Sequence, residues 1–178
     1  MKNKTHKLEK LSDIELIKQY SQIISMMKER KLLKSKSAVG DIGRHYAMDF
    51  YNNSSELATL QSAPYGIQNI NAMSKQGERY VIKTTTKALT GDFYGLEPQD
   101  SYRRDTKKFE RVIIVFLSDN FELKRILELT WSQFLEVKNW NKTNKAWNIS
   151  VTKEVIAKAK TIFVAESKEG GAEDTATF

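Results

Sequence analysis

Two stretches decide how this chain reads: Ala38-Val39-Gly40-Asp41-Ile42-Gly43-Arg44-His45-Tyr46-Ala47, and then Gly77-Glu78-Arg79-Tyr80-Val81-Ile82-Lys83-Thr84. The first opens a helix predicted from about Val39 to Tyr51, with Val39, Ile42, Tyr46, Ala47 and Phe50 as its apolar stripe. Gly40 and Gly43 each cost such a helix about 1 kcal/mol, a cost that makes sense if another backbone passes close by. The second stretch ends in a strand, Arg79 to Thr84. A turn at Ser74-Lys75-Gln76-Gly77-Glu78 joins it to a preceding strand over Ile67 to Met73. Side chains alternate along a strand, so positions 81 and 83 point to one face.

Working outward, Arg111 to Leu117 (Arg-Val-Ile-Ile-Val-Phe-Leu) is a continuous β-branched run, the pattern of a central strand covered on both faces. Ser118-Asp119-Asn120 turns the chain and Phe121 to Leu129 returns beside it. Between the second and third strands lies a long polar segment, Thr84 to Lys108, of a length usually functional or mobile. Towards the N-terminus, a Lys-rich arm of ten residues precedes a helix with a capping box, Ser12 and Glu15, and a hydrophobic staple, Leu11 and Leu16. Leu16, Tyr20, Ile23, Ile24 and Met27 predict that this helix buries one face. Lys31 to Ser37 is a basic connector. Towards the C-terminus, Thr130 and Gln133 form a second capping box. A Trp/Asn/Lys-rich connector then leads to a last helix over Thr152 to Phe163, its inner face Val155, Ile156, Ala159 and Ile162. The order α-α-β-β-β-β-α-α indicates an α/β sandwich with a largely antiparallel meander.

At 178 residues the chain is one domain, residues 1–165, followed by an acidic tail, 166–178, expected to be disordered. With no cysteine and two histidines, disulfides, thiolate zinc sites and a cysteine nucleophile are excluded, and a histidine-based zinc site nearly so. There is no run of about 18 apolar residues to span a membrane and no secretory leader, so the expected location is the cytoplasm. The net charge is +7, and the last thirteen residues sum to −3, which leaves +10 on residues 1–165. A field of that sign favours anionic partners, DNA first among them.

The helix-hairpin-lysine combination resembles the PD-(D/E)xK nuclease superfamily, the fold of many restriction endonucleases. Gly40 to Ala47 match the family's Gly-x-x-Gly-Glu-x-x-Ala helix. Ala63-Pro64-Tyr65-Gly66 and Gln68 to Ala72 match the approach to its acidic position, and Gly77 to Lys83 its hairpin and lysine strand. The resemblance runs in element order over roughly residues 10–165 and implies a mixed sheet flanked by helices on both faces, Mg²⁺-dependent cleavage of DNA, and a possible homodimer. Such chemistry needs carboxylates to hold Mg²⁺, which polarises the phosphate and acidifies a water, and a lysine to assist the attack. Here Arg44 stands for the helix glutamate, Asn71 for the aspartate and Val81 for the residue before the lysine, so that Lys83 alone is retained. Asn71 offers one carbonyl oxygen and no charge, Val81 offers nothing, and Arg44 repels a cation. The resemblance therefore implies the fold together with an impaired metal site and weak or absent Mg²⁺ binding.

Three functions follow as expectations: a DNA-binding protein of this fold with lost or impaired cleavage; an active endonuclease whose carboxylates have moved; or a protein-interaction partner or inhibitor of a related nuclease. The candidate catalytic residues are Lys83, Asn71 and Asp41, with Asp41 and Asn71 as the metal ligands. Asp41 shares a helix face with Arg44 and is the first candidate for a relocated acid, ahead of Glu78 and Asp92. It equally fits a helix N-terminal acid favoured by the dipole. Arg44 is either a solvated helix residue or a phosphate ligand. Lys83 reaches either the cleft or solvent. Lys87 and the run Tyr102-Arg103-Arg104 with Lys107 and Lys108 are candidate phosphate contacts. Trp140 and Trp147 read as core aromatics, and His45 as structural.

Overall fold

The computed structural model describes residues 8–64, 67 and 69–166. Its elements are α1 (Asp13–Glu29), α2 (Ala38–Asn52), β1 (Leu60–Ser62), β2 (Ala72–Ser74), β3 (Arg79–Thr85), β4 (Arg111–Leu117), β5 (Leu123–Thr130), α3 (Trp131–Val137), β6 (Lys138–Asn141), β7 (Ala146–Ile149), α4 (Lys153–Lys158) and β8 (Lys160–Val164). Six strands form a mixed sheet in the order β1-β2-β3-β4-β5-β8, and β6 and β7 form a separate hairpin.

The sheet is built around β4. Its Val112, Ile113, Ile114 and Val115 are all fully buried, as an uninterrupted β-branched run requires. Alternation divides the core into two layers. Val81, Val112, Ile114, Leu127 and Leu129 face one way and pack with Phe93, Phe109 and Phe134. Tyr80, Ile82, Ile113, Val115 and Ile126 face the other way and pack with Ala47 and Tyr51 of α2. Thus α2 covers one face, while α3, α4 and the β6–β7 hairpin cover the second through Phe134, Val155 and Ile149. Gly43 marks the closest approach: a Cβ built there would lie 2.1 Å from the Thr84 hydroxyl on β3. The neighbour is a side chain and not the expected backbone, and Gly40 meets only its own N-cap, Ser37.

Several expectations are corrected. The sheet is not a plain meander, because β3 and β4 run parallel, with Lys83 opposite Ile114. A parallel pair demands a crossover, and residues 86–110 supply it without a helix. This segment is pinned: Thr90 N–H donates to Ile149 at 3.0 Å, Val151 N–H donates to Ala88 at 2.6 Å, and Phe93 is fully buried. Helix α1 starts with its expected capping box, the Ser12 side chain accepting from Glu15 N–H, yet it buries no residue. Both faces of the sheet are already occupied, which leaves α1 nothing to pack on. The Trp-rich connector is the β6–β7 hairpin, with Trp140 opposite Trp147. The last helix stops at Lys158, and Lys160, Thr161, Phe163 and Val164 pair with β5 instead, with a register shift at Ile162. An apolar period read as helical was overridden by a free strand edge and a β-branched sequence. Of the first hairpin strand, expected over Ile67 to Met73, the described residues form a strand only at Ala72–Ser74. Tyr65, Gly66 and Gln68, the loose arm up to residue 7, and the acidic tail from residue 167 lie outside the described residues.

Candidate nucleic-acid interface

The start of α2 is fixed by two side chains. Ser37 caps it by accepting from Gly40 N–H at 3.1 Å. Asp41, buried in the first turn, accepts from the backbone N–H groups of Lys34 (2.7 Å) and Ser35 (2.6 Å) and from the Arg44 guanidinium (3.1 Å). Burial works to raise the Asp41 pKa, but the N–H donors of Ser35 and Lys34, the Ser35 hydroxyl and the Arg44 charge outweigh it and hold the carboxyl below its ordinary value. This carboxylate therefore closes the basic connector onto the helix. Its oxygens are committed to three donors, which leaves it poorly placed as a metal ligand.

Asn71 is committed as well. Its backbone N–H donates to Tyr80 (2.9 Å), its carbonyl accepts from Ala63 N–H (3.0 Å), and its Oδ1 accepts from Ile82 N–H (2.7 Å). The side chain thus continues the β2–β3 ladder one step beyond the Ala72–Tyr80 pair, where the backbone of β2 has turned away.

Arg44 and Asn71 meet at one recess of 250 Å³, lined also by Lys34, Ser62, Ile70 and Ile67, with no carboxylate in its lining among the described residues. A second recess of 310 Å³ shares Lys34, Arg44 and Ser62 with it and adds Lys31 and His45 together with two acidic residues, Asp41 and Asp49. Arg44 is one-third exposed, and its ion pair with Asp41 uses one end of its guanidinium. Lys34 belongs to the basic connector Lys31 to Ser37, and that run is the sequence signal that marks it.

Lys83 is separate from this recess. Together with Val81 it lies on the sheet face turned from α2, and its ammonium donates to the Asp92 carbonyl at 2.5 Å and lies 4.7 Å from the centre of the Phe93 ring. It neither snorkels to solvent nor lines the recess of Arg44 and Asn71. Burial pushes its pKa down to about 8, with the Asp92 charge opposing. Asp92 is therefore the acid that acts on Lys83. Its carboxylate accepts from Asn144 (2.6 Å), Asn141 (3.3 Å) and Tyr94 (3.3 Å), a collar of two amides and a hydroxyl that no local sequence pattern announces.

The basic residues of the crossover lie at the surface. Lys87, Arg103, Arg104, Lys107 and Lys108 are exposed, as is the whole Tyr102 ring. Lys107 also pairs with Glu110 at 3.4 Å. Trp147 is structural: its Nε1 donates to the Glu97 carbonyl at 2.8 Å, its ring packs against Trp140, and the Lys138 ammonium lies 3.8 Å from the ring centre.

The donor set does not suit Mg²⁺. Among the described residues no three histidine, cysteine or acidic side chains come together as a metal group, and the oxygens of Asp41 and Asn71 are already occupied. No helix among the described residues is long and apolar enough to cross a membrane. Compared with known proteins, the chain is matched by no family model and by no curated protein.

Proposed function

We propose that this chain binds DNA through the recess lined by Arg44, Lys34 and Asn71, on a restriction-endonuclease-like scaffold that has lost efficient Mg²⁺-dependent cleavage. One observation carries the reading: Arg44, Lys34 and Asn71 line a recess that has no carboxylate among the described residues. Such a lining suits a phosphate and repels a cation. The order of α2, the β2–β3 hairpin and the lysine strand supports the scaffold assignment, and the net charge of +7 supports the partner.

The test is fluorescence anisotropy with a labelled duplex across a salt series. Binding is expected to weaken linearly on a log-log plot, and Arg44→Ala and Lys34→Ala each to lower affinity and flatten the slope by about one unit. Plasmid incubated with Mg²⁺ or Mn²⁺ is expected to stay intact. No binding at about 50 mM salt would sink the proposal and leave the protein-interaction reading.

A second reading has one observation behind it. Asp92 lies beside Lys83, so an active endonuclease would draw its relocated acid from position 92 and not from Asp41, with Asp92 giving up its Asn144, Asn141 and Tyr94 donors to do so. Metal-dependent cleavage abolished by both Lys83→Ala and Asp92→Asn is the outcome that replaces the first reading with this one.

A further inference from the structure

Helix α1 carries an apolar face with nothing on it among the described residues. Leu16, Ile17, Tyr20, Ile23 and Met26 are between 40% and 64% exposed, and Met27 beside them is half-buried. Together they present on the order of 500 Å² of apolar surface, within the range of the largest patch on a typical monomer. That area approaches the roughly 800 Å² per partner of a standard interface.

The order of residues along that face identifies its occupant. Asp13, Leu16, Tyr20, Ile23, Met27 and Arg30 follow one another at spacings of three, four, three, four and three, the seam of a two-helix coiled coil. The spacing reads the same in both directions. Reversed against itself, the seam sets Leu16 on Met27, Tyr20 on Ile23 and, at each end, Asp13 on Arg30. A parallel pair would instead set Asp13 on Asp13 and Arg30 on Arg30. The rest of the chain departs from the C-terminal end of α1. An antiparallel pair therefore holds two basic bodies apart by the length of a 17-residue helix, about 25 Å and well beyond the roughly 10 Å Debye length at 0.1 M salt. The polar side of α1 mixes Glu15 and Glu29 with Lys18 and Lys28, unlike the Lys/Arg-rich polar face of a membrane-surface helix.

From this seam we infer that α1 is a self-association element, docking antiparallel and two-fold symmetric on α1 of a second copy of this chain. The assembly is independent of the proposed DNA binding, because its readout is mass and needs no nucleic acid.

Sedimentation of the full chain over a range of concentrations tests it, and the cysteine-free sequence makes the geometry testable by cross-linking. The expected result is a species of twice 20.5 kDa that grows with concentration. Tyr20→Lys is expected to remove it while the thermal melt stays unchanged, since Tyr20 is exposed in the single chain. Under oxidation, the double variant Asp13→Cys/Arg30→Cys is expected to give a covalent dimer and Asp13→Cys alone to give none. A single species of 20.5 kDa at all concentrations overturns the inference. So does cross-linking of Asp13→Cys alone, or a dimer that Tyr20→Lys leaves intact. Monomeric protein that instead binds anionic lipid vesicles through α1 also overturns it.

Discussion

Asn71 does with a side chain what the backbone of β2 no longer does, satisfying the N–H of the buried Ile82. Asn71→Ala removes that partner and is expected to destabilise the fold by about 1–3 kcal/mol, the cost of an orphaned buried donor, as measured by urea denaturation. Asn71→Asp keeps the acceptor and is expected to cost less. Lys83 behaves oppositely, as a charge the fold holds at a cost. Its pKa is about 8 against an ordinary 10.5. Below pH 8 folded and unfolded chains both carry the proton, and the burial penalty is in full force. Between pH 8 and 10.5 the unfolded chain binds the proton that the folded chain has released, so stability rises with pH over that window. Lys83→Met is therefore expected to be the more stable protein at pH 7, by up to about 3 kcal/mol, with a gap that shrinks as pH climbs to 10.5. A constant gap across that range, measured by denaturant titration at each pH, would remove the titration argument. The sequence marked both positions, because a lysine strand and its hairpin partner can be read from spacing. It did not show that Lys83 and Arg44 part company. That separation depends on the Phe93 ring and the Asp92 carbonyl, nine or more residues further along the chain.

Elements whose signals are local were legible. Both capping boxes form as the sequence indicated, and the β-branched run of β4 is central. Elements decided by long-range pairing were not. Thr161 to Val164 have an apolar spacing that suits a helix or a strand, and only the open edge of β5 selects the strand. The β6–β7 hairpin lacks an Asn-Gly turn signal and closes through Lys145 at φ 46°. Leu60–Ser62 pair with β2 through a register that no local pattern announces. The contact between α2 and β3 lies between these cases: Gly43 announced a close approach, and Thr84 makes it. Gly43→Ala is expected to cost about 1–3 kcal/mol through overpacking, despite alanine's better helix propensity. Thr84→Ala combined with Gly43→Ala is expected to recover part of the loss, because it deletes the two nearest atoms, at 2.1 and 2.3 Å. Strictly additive costs in that cycle, read from thermal melts, would place the strain elsewhere.

For the whole molecule, charge is the quantity that the sequence supplies completely. The chain carries +7, and residues 167–178 contribute Lys168 against Glu169, Glu173 and Asp174, a sum of −2. Deleting them leaves a body of +9. If the basic surface around Arg44 and Lys34 grips phosphates, the acidic residues compete with DNA for the same cations, and their removal strengthens binding. Two unit charges correspond to about two phosphate contacts at most, so the affinity gain is expected to be a few-fold to about tenfold near 50 mM salt. The origin of the gain is testable through screening. At about 0.5 M salt the Debye length has contracted to roughly 4 Å, and truncated and full-length chains are expected to bind equally weakly. A gain that persisted at that salt would indicate a site uncovered sterically and not a field relieved. A truncation without effect at low salt would indicate that the acidic residues do not reach the recess. Paired anisotropy titrations of the two chains on one duplex distinguish these outcomes, and the truncated chain is expected to show the steeper salt slope.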